Sequence, residues 1–125
     1  VEVDPDRPRI VLPEDFGMPP GGVSIRWPEE PIVKLEERLA RFKLPAALAY
    51  ARANRLDRAT WATPSARLGI VSTGKAWLDV MQALADLGID ERAARELGIA
   101  VYKVAMPWPL EPEGIRAFAR DCEEI

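Results

Sequence analysis

Two short apolar runs, Leu68-Gly69-Ile70-Val71 and residues 99–104, flank a stretch of helical periodicity, and that arrangement leaves few architectures open. Both runs are rich in β-branched residues and read as buried strands. Between them, residues 75–87 carry polar side chains only at Lys75, Asp79, Gln82 and Asp86, one narrow stripe of helical spacing. The rest of that helix is therefore expected to be buried. Ser72-Thr73-Gly74 closes the first strand, Gly88 stops the helix, Asp90 can cap a short helix through Leu97, and Gly98 can stop that one. A strand, a covering helix and a returning strand form a parallel crossover, so the fold class is α/β, built on a parallel βαβ layer. Two parallel strands do not make a stable sheet. The sheet is expected to be incomplete, with further strands supplied by downstream sequence, by the N-terminal segment or by another subunit.

Upstream, residues 1–31 carry Pro5, Pro8, Pro13, Pro19, Pro20, Pro28 and Pro31 with Gly17, Gly21 and Gly22, a density that breaks helices and sheet ladders alike. This reads as an extended arm, anchored in places through Ile10, Val11, Leu12, Phe16 and Met18. A helical connector follows over residues 32–65. Ile32, Leu35, Leu39 and Phe42 recur at helical spacing, Pro45 ends or kinks that helix, and residues 46–56, rich in Ala and Leu, predict a second one. Residues 60–64 read as a turn, and residues 66–125 as the α/β domain. After the second strand comes the Pro107-Trp108-Pro109 turn, and Pro112 opens a last helix whose apolar face is Ile115, Phe118, Cys122 and Ile125. Beginning at Val1 and stopping within this helical pattern, the sequence reads as a fragment.

Composition excludes several kinds of chemistry. One cysteine, Cys122, and no histidine leave no thiolate set for zinc or an iron–sulfur cluster and no Ser/His or Cys/His nucleophile. The formal charge of −3 does not suit a nucleic-acid binder, and no apolar run is long enough to cross a bilayer. The expectation is a soluble, cytoplasmic chain without catalytic or metal-binding residues.

Two constellations remain as candidates. The run from Gly69 to Ala76 has the glycine and lysine spacing of a phosphate-binding loop, between a strand and a helix. Ala76 stands where a hydroxyl would hold magnesium, so nucleotide hydrolysis is not expected. Ser72, Thr73, Gly74 and Lys75 stay open as an anion site, the alternative being a plain strand-to-helix turn. Arg52, Asn54 and Arg55, with Arg58, form a basic helix end, read either as a contact for an anionic partner or as compensation of the helix dipole. Trp108, stiffened by flanking prolines, is a candidate interface anchor. Cys122 reads as a small buried hydrophobe.

Several stretches resemble indolepyruvate ferredoxin oxidoreductases: Gly21-Gly22-Val23-Ser24-Ile25-Arg26-Trp27-Pro28, Lys43-Leu44-Pro45-Ala46-Ala47, Ala51-Arg52-Ala53-Asn54-Arg55-Leu56, the run from Leu68 to Ala76, Leu78-Asp79-Val80, and the run from Trp108 to Gly114. Trp77 stands where that family would carry Tyr. The resemblance implies a Rossmann-like domain similar to the transketolase C-terminal domain. It further implies a parent enzyme that uses thiamine diphosphate, magnesium and iron–sulfur clusters to convert aryl 2-oxoacids to acyl-CoA, with CoA as co-substrate and ferredoxin as electron acceptor. None of those cofactors is expected in this segment. Its implied partners are the remaining domains or subunits of that oxidoreductase, and the segment alone is expected to self-associate. The rival reading is a stand-alone anion- or nucleotide-binding module using residues 72–75.

Overall fold

A computed structural model describes residues 9–23 and 31–125. Pro5, Pro8, Pro28 and the stretch from Ser24 to Trp27, singled out above, lie outside the described residues. The chain divides into two compact units, one ending at Asn54 and the other covering Arg55–Ile125.

In the first unit a single helical run replaces the two helices expected. Helix α1 (Ile32–Arg38) passes through one π turn (Leu39–Lys43) directly into α2 (Leu44–Ala53). Pro45 has no N–H to give an α-helical bond. The preceding turn widens instead, with Leu44 N–H bonded to Leu39 O, five residues back. Helix α2 stops short of Leu56 because Arg55 adopts a left-handed φ of 49°, while Asn54 donates to Tyr50 O from both its backbone and its side chain. Polar groups hold the arm, and of its apolar residues Phe16 is half-buried and Pro19 buried. Asn54 grips Val11 at both ends of its peptide unit (Val11 N–H to Oδ1 2.8 Å, Nδ2–H to Val11 O 2.9 Å), and Arg38 donates to Gly22 O. Ile10, Val11, Leu12 and Met18 remain exposed.

The second unit is a four-stranded mixed sheet with helices on both faces, an α/β fold. Strands β1 (Arg58–Trp61), β2 (Ala66–Thr73), β3 (Ile99–Val104) and β4 (Cys122–Glu124) lie in the order β1-β3-β2-β4. The expected parallel pair is β2 and β3, in register from Leu68↔Ile99 to Thr73↔Val104. The two added strands come from within the chain. β1, in a stretch read as helix end and turn, runs antiparallel to β3 with an irregularity between Ala59 and Trp61, where the Thr60 hydroxyl donates to Val101 O. β4 occupies what was read as the end of the last helix: that helix, α5 (Pro112–Arg120), ends at Arg120, and the chain returns parallel to β2. Cys122 therefore belongs to a strand, and Ile125 beyond it is 59% exposed.

Successive side chains of β3 point to opposite faces. Ala100, Tyr102 and Val104 meet Phe118 of α5 in the main core, with the Tyr102 and Phe118 rings 5.1 Å apart. Gly69 permits this packing, since a Cβ there would lie 2.7 Å from Cys122 Sγ and 2.9 Å from the Phe118 ring. On the other face, Lys103 Nζ lies 4.1 Å over the ring of Trp77, which belongs to α3 (Gly74–Asp86). Trp77, Val80, Met81 and Leu84 of α3 turn inward, but only Leu84 is fully buried, and Leu78 (58%) and Leu87 (74%) are exposed. The expectation of a helix buried nearly all round is thus corrected: one sheet face covers one stripe of a helix, and both flanks stay open. Helix α4 (Glu91–Leu97) is capped by Asp90, which accepts from Ala93 N–H, and closed by Gly98 at φ 75°.

Candidate functional site

The sheet topology gathers the main candidates at one end. β2 feeds α3 on one face and β3 feeds α5 on the other, while β4 returns on the far side of β2 from β3. In open α/β sheets, the crevice beyond two neighbouring strands whose connections leave in opposite directions is the usual ligand position. Here Thr73 and Val104 are paired, so the turn carrying Gly74 and Lys75 and the loop from Ala105 to Leu110 leave the sheet side by side. Residues 72–75 and Trp108 are thereby brought to the same edge.

Their local geometry is less suited to an anion. Thr73 is extended and offers no side-chain cap to α3, and Gly74 takes a φ of 52°. The Ser72 Oγ is buried with no partner among the described residues. Lys75 Nζ bonds both carboxylate oxygens of Asp79 (2.6 and 2.7 Å) along the outer face of α3, where both side chains are well exposed. Its charge is already matched within the helix. Trp108 is 71% exposed, and the peptide bond it forms with Pro109 is cis. Arg52 and Asn54 belong to the first unit, where Arg52 pairs with Asp15 at 3.2 Å and Asn54 holds Val11, whereas Arg55 is the first residue of the second unit.

Sequence reasoning missed a second group of residues, centred on Asp57 and Tyr102. Asp57 Oδ1 accepts from Ala105 N–H (2.7 Å) and Met106 N–H (3.0 Å), clamping the loop after β3, while its Oδ2 is buried without a partner among the described residues. Tyr102 is only 3% exposed, and its hydroxyl also lacks a partner among them. Glu111, buried at the start of α5, accepts from the N–H groups of Glu113 and Gly114. Burial, then Asp57, then Glu111 push the Tyr102 phenol above its ordinary value, so it keeps its proton at neutral pH. Beside this group lies a cavity of about 500 Å³, whose lining includes Asp57, Tyr102, Gly114, Ala117, Phe118 and Cys122. The sequence signal was slight: a single aromatic with a polar tip within an apolar strand.

Cys122 donates to Phe118 O, and burial with nearby Asp121 raises its thiol above the ordinary value, which favours the unreactive protonated form. One such thiol does not fit an iron–sulfur cluster. Among the described residues no group of three or more Asp, Glu, Cys or His side chains could hold a metal ion. No helix among them is long and apolar enough to cross a membrane.

Compared with known families, residues 58–125 match the model described as an indolepyruvate oxidoreductase domain, from the first residue of β1 through β4 and over more than half of the 125 residues. No curated protein and no solved structure matches the chain.

Proposed function

Because this chain belongs to the indolepyruvate oxidoreductase domain family, we propose that it is a non-catalytic structural and assembly domain of an indolepyruvate ferredoxin oxidoreductase. The parent enzyme, on this reading, decarboxylates aryl 2-oxoacids oxidatively to acyl-CoA and passes the electrons to ferredoxin in the cytoplasm. Thiamine diphosphate, magnesium and iron–sulfur clusters are held by its other domains.

The observation that carries the assembly role is the open flanks of α3. Leu78 and Leu87 point away from the sheet, and Trp108 and Leu110 (42% exposed) stand at the sheet end. Exposed aromatic and aliphatic side chains of this kind gain most when a neighbouring surface removes them from water. Co-expressing the chain with the remainder of the oxidoreductase, as two polypeptides, tests the reading. The two should co-purify and reduce ferredoxin with indolepyruvate only together. A remainder that is fully active without the chain would refute the assembly role.

The rival anion-binding role of Ser72, Thr73, Gly74 and Lys75 is favoured by one observation, the place of that turn at the carboxyl ends of β2 and β3. The Lys75–Asp79 pair weighs against it.

A further inference from the structure

We propose that the outer edge of β1 receives an extended strand from the remainder of the oxidoreductase, a strand with apolar side chains on both of its faces. The inference rests on the assembly reading and narrows it to one edge of the sheet. β1 is a terminal strand and pairs on one side only, with β3. The Thr60 hydroxyl donates to Val101 O, so that carbonyl faces β1, and by the two-residue period of a strand so does the backbone of Lys103. Arg58, opposite Lys103, exchanges hydrogen bonds with it, which leaves the N–H and C=O of Ala59 pointing outward along the open edge. Such an edge accepts another strand through main-chain bonds.

The two faces beside that edge decide which strand fits. On the α5 face lies the cavity of about 500 Å³, walled by Ala59, Ala62, Ala100, Ala117 and Phe118. On the α3 face lies a second, of about 430 Å³, walled by Trp61, Met81, Ala85 and Ile89. Each is lined in part by β1 and bounded by a helix, so a strand added outside β1 would lie between them. Its successive side chains point to opposite faces, one toward each cavity, and walls of this composition favour apolar groups in both. A strand covered on both faces has that pattern, a run of apolar residues without alternation. Met81 and Ala85 stand at helical spacing from the exposed Leu78, so the second cavity continues into the flank of α3 on which the assembly role rests. The opposite edge is less receptive: β4 carries Glu123 and Glu124, both exposed, and charge on an edge strand opposes further pairing.

The test uses the whole chain and the remainder of the oxidoreductase, co-expressed as two polypeptides, with hydrogen–deuterium exchange compared between the complex and the chain alone. Residues 58–65 and 81–91 should both exchange about tenfold or more slowly in the complex. Ala59→Pro removes the outward N–H and leaves the pairing of Arg58 with Lys103 in place, and it should weaken the complex about tenfold, the loss expected for one main-chain hydrogen bond. Ala85→Trp, at an exposed position, fills the second cavity and should weaken the complex at least as much, while circular dichroism shows the fold retained. A complex in which residues 58–65 exchange as in the free chain, or full affinity in either folded variant, would overturn the proposal and spare the assembly role. If the two polypeptides do not associate at all, both fall.

Discussion

Replacing Gly69 by Ala adds one methyl group where β2, α5 and β4 meet. The new Cβ would stand 2.7 Å from Cys122 Sγ and 2.9 and 3.2 Å from two carbons of the Phe118 ring, closer than side chains tolerate. The ring has little room to retreat, because Phe118 is 8% exposed and packs against Tyr102. Overpacking of this kind costs about 1–3 kcal/mol. Against it stands the ordinary advantage of Ala over Gly in regular structure, about 0.5–1 kcal/mol. The contact outweighs the backbone gain, and a net loss of about 1–2 kcal/mol is expected. For a domain of this size that lowers Tm by roughly 4–16 °C, readable by circular dichroism. The double variant Gly69→Ala/Cys122→Ala removes the nearest contact, so its loss should fall short of the sum of the single losses by about 0.5 kcal/mol or more. A Gly69→Ala protein that melts at or above the parent temperature, or strict additivity in the double variant, would refute the reasoning.

Three further outcomes follow from the same geometry. The raised Tyr102 phenol means that above pH 10.0 the unfolded chain ionises before the folded one, so stability should fall as pH rises through and beyond that value. Tyr102→Phe should lose less stability in alkaline urea titrations and little or none at neutral pH. Lys75→Ala removes only an exposed i,i+4 pair, so urea unfolding should register less than about 0.5 kcal/mol, and ATP hydrolysis should be undetectable in both proteins. Calorimetry with thiamine diphosphate and magnesium should show no saturable micromolar binding to this chain, and such binding would contradict the placement of the cofactor in other domains.

The elements legible in the sequence were those fixed by local signals. β2, α3, α4 and β3 follow from β-branched runs, helical spacing and the stops at Gly88 and Gly98, and the structure contains each, with β2 running on through Ser72 and Thr73, which were read as its closing turn. β1 and β4 were not legible because neither carries a strand pattern. Arg58-Ala59-Thr60-Trp61 lacks apolar alternation, and Cys122-Glu123-Glu124 continues the periodicity of α5. Both become strands by pairing with β3 and β2, partners distant in sequence, which is tertiary context overriding local preference. The candidate site divides in the same way. Residues 72–75 and Trp108 announced themselves through loop chemistry, whereas Asp57 and Tyr102 gain meaning only when the loop after β3 folds back beside the start of β1.

The π turn at Leu39–Lys43 acts as a phase shifter for everything beyond it. One surplus residue in an α-helix rotates the following segment by about 100° about its axis and advances it about 1.5 Å. Asn54, which holds Val11, lies beyond that rotation. A lineage that lost any one residue of this turn would keep a regular helix through Pro45 at the expense of that proline's strain. It would also carry Asn54 around the axis and out of reach of the arm.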